Sequence, residues 1–167
     1  MTHLFSQTGL RWWWLTVTFL VLDQITKHWV AGSFDLYESV NILPFFSFTY
    51  VHNTGAAFSF LADQGGWQRW FFTAIATIAS VVFIVWLSKT PKENKLLSIA
   101  FALMLSGAVG NLIDRALFGY VIDFIDFHWA GYRFPAFNIA DSAIFVGAVL
   151  MIAESFINGE KSPKDAA

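Results

Sequence analysis

Four long apolar runs alternate with polar segments along the chain. Trp12–Val30 carries only Asp23 and Lys27 as charges, Trp70–Ser88 and Leu96–Ile113 carry none, and Phe134–Ala153 is interrupted only by Asp141. A helix needs roughly 20 residues to cross a hydrocarbon core about 30 Å thick. The runs therefore predict membrane-spanning helices over approximately 12–30, 70–88, 96–113 and 136–155. The expected fold class is an α-helical membrane protein with four transmembrane helices, in a single membrane domain covering 1–167. No internal repeat or low-complexity tract interrupts it.

The linker 31–68 between the first two runs has its own pattern. Asn41–Tyr50 is rich in aromatic and branched residues, broken by Pro44. Asn53-Thr54-Gly55 is a turn signal, and Ala56-Ala57-Phe58-Ser59-Phe60 follows. This composition favours short strands around a turn over an apolar loop lying on the membrane. Either form makes a lid or platform over one mouth of the bundle.

Lys and Arg asymmetry orients the bundle. The segment Lys89-Thr90-Pro91-Lys92-Glu93-Asn94-Lys95, the tail with Lys161 and Lys164, and Arg11 form one basic side. The other loops hold Asp35, Glu38, Asp63, Asp123 and Asp126, with Arg69, Arg115 and Arg133. Both termini are thus expected in the cytoplasm, with 31–68 and 114–133 outside. Trp12, Trp13, Trp14 and Trp86 fall at the expected inner interface, and Trp29, Trp67, Trp70 and Trp129 at the outer one, as interfacial Trp should. The N-terminal apolar run continues past Asp23 and Lys27 behind a weak positive region, which fits a retained anchor better than a cleaved signal.

Composition narrows the function classes. The chain is 56% hydrophobic and 13% charged, with a formal net charge of −2. That excludes disorder and leaves no basic excess for nucleic acid. With no cysteine there is no disulfide framework, thiolate metal site or cysteine nucleophile.

Ionisable groups inside a span are functional-site candidates by default. Asp23 and Lys27 are spaced i,i+4 with the acid first, which suits an ion pair. A structural pin between helices is the favoured reading, and Lys27, nearer the exterior, is placed to snorkel. Gly107, Asn111, Asp114 and Arg115 share one face of the third helix. That face is either an interhelical contact with polar glue or a substrate wall. In the second case Asn111 would donate to peptide backbone and Arg115 would order nearby carboxylates. Val121-Ile122-Asp123-Phe124-Ile125-Asp126-Phe127 embeds two acids in an apolar run. In Phe134-Pro135-Ala136-Phe137-Asn138-Ile139-Ala140-Asp141-Ser142, Pro135 suits a helix start. Asn138 and Asp141 share a face, and Asp141 is expected one to two turns inside the boundary, with a capping role as the plain alternative.

Asp123 and Asp141 are expected at one membrane depth. Two carboxylates that meet cannot both ionise easily, so one keeps a proton. This is the state that an aspartic hydrolase uses. Asp123, Asp126 and His128 could instead hold a metal, without an HExxH-type pair to support it. A Ser–Lys dyad would need Ser59, Ser106 or Ser142 beside Lys27. A proton-coupled transporter using Asp23, Lys27 and Asp141 is the alternative function, though repeat symmetry and broken helices are missing. A non-catalytic scaffold would explain the glycines but not the carboxylates.

At these residues the sequence resembles the bacterial lipoprotein signal peptidases, also called signal peptidase II. The resemblance rests on Asp23-Gln24-Ile25-Thr26-Lys27, Asn53-Thr54-Gly55-Ala56-Ala57-Phe58, Gly107–Arg115, Val121-Ile122-Asp123-Phe124 and Phe134–Ser142, in order along nearly the whole chain. It implies a metal-independent aspartic endopeptidase of the bacterial cytoplasmic (inner) membrane, without a cofactor and blocked by the cyclic peptide globomycin. The substrate implied is a prolipoprotein, cleaved before a cysteine that already carries diacylglycerol. Asp123 and Asp141 match the family's catalytic aspartates, and Asn53, Asn111, Arg115 and Asn138 match positions that line its substrate site. Asp23, Lys27 and Asp114 match positions of more structural character, with Gly107 and Ala140 as supporting residues. The linker with Asn53 corresponds to a small extracytoplasmic β-cradle. Membrane lipid and the lipidated substrate are the expected partners, and a monomer is the economical assembly.

Overall fold

A computed structural model describes residues 2–55 and 65–159. Side chains of 2–4, 158 and 159 are not described. The elements in chain order are α1 (Thr2–Gln7), a 3-10 turn (Gly9–Trp12), α2 (Trp13–Ser33), β1 (Ser39–Leu43), β2 (Phe46–Asn53), α3 (Trp67–Lys89), α4 (Lys95–Leu117), β3 (Val121–Trp129), β4 (Tyr132–Arg133) and α5 (Ile139–Gly159).

Among the described residues, three helices are long and apolar enough to cross a membrane: Trp67–Lys89, Lys95–Leu117 and Ile139–Ile157. The expected fourth, α2, is 21 residues long. It carries Asp23, Gln24, Lys27 and His28, which lower its apolarity below that of the other three. Helix α4 is the hub and packs against α2, α3 and α5. Its small residues Ala100, Ala102, Ser106, Gly107 and Ala108 are buried and let neighbouring backbones approach. Large apolar side chains of α3, such as Ile75, Ile78 and Val81, point outward. That is the arrangement required when the solvent is hydrocarbon.

At one end, the N-terminal segment is tied to the turn between α3 and α4. The Gly9 amide donates to the Thr90 carbonyl (2.8 Å) and the Lys92 amide to the Gln7 carbonyl (3.2 Å). The start of α2 with Trp13 and Trp14 therefore lies beside the end of α3 with Trp86. Helix α1 and the 3-10 turn at this end have no counterpart in the hydropathy pattern.

At the other end, a four-stranded antiparallel sheet runs in the order β1-β2-β3-β4. The linker supplies β1 and β2, a hairpin that turns at Pro44 and Phe45. The third and fourth strands come from the segment between α4 and α5, which the sequence pattern leaves as a plain loop. The strand expected over 56–60 lies outside the described residues. Trp29 packs edge-on against Phe34 and Phe48, joining the end of α2 to the sheet. The buried cluster of Val30, Tyr50, Ile122 and Phe124 fills the space beneath.

The helices also run past the expected ends, α2 to Ser33, α3 from Trp67 and α5 to Gly159, and two further boundary shifts bear on the site. Helix α4 runs one turn further, to Leu117, and ends at Gly119 in the left-handed region (φ 88°), which suits a residue without Cβ. Arg69 of α3 donates to the last-turn carbonyls of Arg115 (3.0 Å) and Ala116 (2.6 Å). Helix α5 begins at Ile139 and not near 136. Pro135 precedes it because Phe137 is drawn into a bridge with Ile125, exchanging backbone bonds of 2.8 and 3.1 Å.

Candidate active site

The start of α5 is closed by a reciprocal cap. The Asn138 Oδ1 accepts the Asp141 backbone N–H (2.9 Å), and the Asp141 Oδ2 accepts the Asn138 N–H (3.2 Å). This is a capping box built from Asn and Asp. It places Asp141 in the first helical turn, where the macrodipole favours a negative charge. The first turn also lies nearer the helix end than the expected one to two turns.

Strand β3 brings Asp123 to the same place. Its Oδ1 accepts from Asn138 Nδ2 (2.7 Å) and its Oδ2 from Asn53 Nδ2 (2.9 Å). Asn53 ends β2 opposite Val121, and its own Oδ1 accepts the Gly55 N–H (3.0 Å), so its amide is turned to Asp123. Asn138 thus touches both aspartates, through its side-chain amide to Asp123 and its backbone to Asp141. Burial pushes the Asp123 carboxyl up to about 8, reinforced by the neighbouring Asp141 charge. Those causes outweigh the opposing Asn53, Asn138 and Lys27.

From α4, Asn111 donates its Nδ2 to Asp141 Oδ1 (2.8 Å). Its Oδ1 accepts from Lys27 Nζ (2.9 Å) and Asn138 Nδ2 (3.2 Å). Arg115 sends Nη2 to the Gly55 carbonyl (3.1 Å), and its guanidinium lies 5.4 Å over the Phe72 ring. Among the described residues, no salt bridge joins Arg115 to a carboxylate, so it braces the Gly55 turn directly.

Asp123, Asp141, Asn53, Asn111 and Arg115 line one cleft of about 700 Å³. Its remaining wall is apolar: Val121, Phe127, Phe134, Pro135, Ala136, Phe137, Ile144, Phe145 and Ala148. Four of these are Phe, and no Trp lines the cleft among the described residues. A polar carboxylate floor beside an apolar trough suits a ligand with a peptide part and a greasy part.

The model of the family described as "Signal peptidase (SPase) II" matches residues 15–157. The chain belongs to the signal peptidase II family. It is 55% identical over 165 residues to the lipoprotein signal peptidase of Alteromonas mediterranea, covering 99% of this chain and 91% of that one. It is 57% identical over 151 residues to that of Shewanella amazonensis, covering 90% of each. A bacterial membrane enzyme solved by the in meso method at 2.3 Å resolution superposes with a TM-score of 0.80 at 32% identity, covering 91% of both chains. The chain is accordingly a membrane peptidase of the lipoprotein-processing class, and the transporter reading has no support.

Placed on this peptidase, the remaining candidate residues fall into two groups. Asn138 was expected on the substrate wall but is fully buried behind it, between the two aspartates. Asp23, Lys27 and Asp114 form a buried triad, with Lys27 Nζ 2.9 Å from both Asp23 Oδ2 and Asp114 Oδ2. Lys27 does not snorkel. It is fully buried because α4 offers Asp114 and Asn111 within reach of its amine. The pin extends further, since Asp23 Oδ1 accepts the Ala140 N–H (2.8 Å) and Asp114 Oδ2 accepts the Ile122 N–H (3.2 Å). Gln24 joins it by donating to Asp114 Oδ1 (3.1 Å). A Cβ on Gly107 would lie 2.2 Å from the Ala140 carbonyl oxygen, so this glycine sets the close approach of α4 and α5.

Among the described residues, the metal and Ser–Lys alternatives do not assemble. Asp126 accepts from Thr49 (2.8 Å) and pairs with Arg133, while His128 Nε2 meets Ser47 (2.9 Å). Asp123 instead faces Asn53 and Asn138. Ser106 and Ser142 donate to backbone carbonyls of Leu103 and Asn138, and Ser59 lies outside the described residues.

Proposed function

We propose that the chain is the aspartic endopeptidase that removes the signal peptide from prolipoproteins, with Asp123 and Asp141 as its catalytic pair. The shared Asn138 bridge carries this reading, because it holds two carboxylates, Asp123 buried and Asp141 half-buried, on one cleft wall. In the resting pair one carboxyl is protonated and the other ionised. The ionised Asp takes a proton from water as the water oxygen attacks the scissile carbonyl. The protonated Asp hydrogen-bonds that carbonyl oxygen and passes its proton to it. The tetrahedral intermediate collapses when the C–N bond breaks: the Asp that took the water proton gives it to the leaving amine, and the other Asp takes one back from a gem-diol hydroxyl.

The lipid-modified cysteine gives the apolar trough a purpose. Diacylglyceryl chains would lie against Phe134, Phe137 and Phe145 while the peptide crosses the carboxylates. On this reading the domain 1–167 spans the inner membrane four times, α2 included. Both termini are cytoplasmic, the cleft sits at the outer face, and one chain forms the whole site. Membrane lipid surrounds the outward apolar faces of α3 and α5. No cofactor takes part.

Purified protein incubated with a diacylglyceryl-modified prolipoprotein tests this. Cleavage before the modified cysteine is expected, lost in Asp123→Asn and in Asp141→Asn and unaffected by EDTA. Normal cleavage by either variant would remove that aspartate from the chemistry. Loss with EDTA, restored by added metal, would replace the aspartic mechanism.

A further inference from the structure

The two carboxylates of the cleft are held by different kinds of partner. Asp123 sits on a strand and receives two neutral amides, from Asn53 and Asn138. Asp141 sits in the first turn of α5 and receives the Asn138 backbone N–H and the Asn111 amide. Behind Asn111 stands Lys27.

An ammonium has three donors and no acceptor. All three donors of Lys27 are engaged at 2.9 Å: Asp23 Oδ2, Asp114 Oδ2 and Asn111 Oδ1. The third contact decides which way the Asn111 amide faces. Its oxygen must meet Lys27, so its NH2 must meet Asp141. Asn138 is fixed by the same logic, because its Oδ1 faces the Asp141 N–H and its Nδ2 is left for Asp123 and for Asn111 Oδ1. A flipped Asn111 would set an NH2 against the ammonium and a carbonyl against the carboxylate, two repulsive contacts in place of two hydrogen bonds.

We propose that Lys27 is a positioning residue for the reaction: acting through the side-chain amide of Asn111, it keeps Asp141 as the ionised, water-activating member and leaves the proton on Asp123. This rests on the aspartic reading above and assigns the roles within it. Three features act together on Asp141, namely the helix N-terminus, the amide of Asn111 and the polarisation of that amide by a buried ammonium. Asp123 has neither helix dipole nor ammonium-backed donor. Its raised carboxyl, still protonated near neutral pH, agrees. The charged groups around Asp141 are Lys27 and Asp23 of α2, Asp114 and Arg115 of α4, and Asp123 of β3. Lys27 is flanked by the carboxylates of Asp23 and Asp114, so it acts here through the oriented amide as well as through charge.

The test is the pH profile of kcat/KM for a lipidated substrate peptide, whose acid limb reports the ionised base. Lys27→Met combined with Asp114→Asn removes the ammonium without leaving both acids unpaired. The acid limb should move up by about one pH unit and kcat should fall about tenfold to a hundredfold, with KM changed far less. Lys27→Arg, which keeps a cationic donor on Asn111, should return the limb toward its wild-type position. Asn111→Leu leaves Lys27, Asp23 and Asp114 in place and removes only the amide. It should move the same limb, and it stands as the test if the double variant does not fold.

A lower yield of folded protein with an unmoved acid limb would make Lys27 a pin only and overturn the proposal. A limb that moves in the Lys27 variants but stays put in Asn111→Leu overturns the route through Asn111. Failure of the aspartic reading itself looks different, since Asp123→Asn or Asp141→Asn would then cleave normally in otherwise wild-type protein.

Discussion

Asn138 donates its side-chain amide to Asp123 at 2.7 Å while its side-chain oxygen caps the backbone N–H of Asp141 at 2.9 Å. One fully buried residue therefore sets the start of a membrane helix and the spacing of the candidate catalytic pair. Stability and activity are coupled at this position in a way that separate residues would not show.

Asn138→Ala should lower both. Losing an N-cap costs about 0.5–2 kcal/mol. Leaving a buried carboxyl oxygen short of a donor costs about 1–3 kcal/mol more. Asn138→Asp keeps a capping oxygen but gives Asp123 a carboxylate in place of an NH2. It should recover much of the thermal stability while leaving activity near background. Melting temperature and peptide cleavage measured on the same detergent preparation separate the two effects. Activity that returns together with stability in Asn138→Asp would mean that Asn138 is a cap alone.

Gly107→Ala should misalign the site without touching it. The added Cβ would meet the Ala140 carbonyl oxygen at 2.2 Å and Ile144 Cγ1 at 2.6 Å. Backbone cannot yield as a side-chain tip does, so the cost should reach or exceed the roughly 1–3 kcal/mol of ordinary overpacking. Displacing α5 also strains the Ala140 N–H bond to Asp23 and carries Asp141 with it. Gly32→Ala, where no atom lies within 4 Å of the new Cβ, is the control and should behave as wild type. Accumulation of folded protein in membranes and cleavage rate check both.

Arg69 is a third kind of test, because neither motif nor hydropathy singles it out. It closes the carbonyl end of α4 by donating to Ala116 and to Arg115, the residue that braces Gly55. Arg69→Ala should cost about 1–2 kcal/mol, as two charge-assisted bonds at a half-buried site give way to water. Arg69→Lys should recover only part of it, because a point charge cannot serve two carbonyls with a planar fork. A denaturation series on the three proteins measures this, and indistinguishable midpoints would remove Arg69 from the stability of α4.

The helices and the acids were legible for different reasons. Trp70–Ser88 and Leu96–Ile113 announce themselves because hydrocarbon tolerates few charges in a span. The Asp23–Lys27 pair follows from helical spacing alone. The fate of Lys27 did not follow, since its burial depends on Asp114 and Asn111 arriving from another helix, a tertiary fact. Strand β3 was hidden because Val121–Trp129 lies between two apolar helices, and its exposure does not alternate cleanly: Val121–Phe124 is buried throughout. The start of α5 was misplaced because Pro135 is a good first helical residue in general. Here the Phe137–Ile125 bridge holds the chain extended for three more residues, and Asn138 takes the cap. That shift moves Asn138 from the cleft wall to the position between the aspartates.

The pH dependence brings these threads to one residue. In the unfolded chain Asp123 would titrate near 3.9, whereas in the fold its carboxyl is pushed up to about 8 by burial and by Asp141. The folded form therefore holds the proton more tightly. Its contribution to stability is fully present below about pH 4 and is lost progressively as pH rises toward 8, because the unfolded chain releases the proton first. Asp123→Asn cannot titrate, so its stability relative to wild type should improve steadily across that window and level off above it. Cleavage by the wild type should fall along an alkaline limb near pH 8, as the protonated Asp123 that hydrogen-bonds the scissile carbonyl is lost. Thermal unfolding of both proteins and the wild-type pH–rate curve, all in one buffer series, check this. A stability difference that stays constant from about pH 4 to 8 would show that Asp123 ionises normally in the fold, and the alkaline limb would then belong to another group.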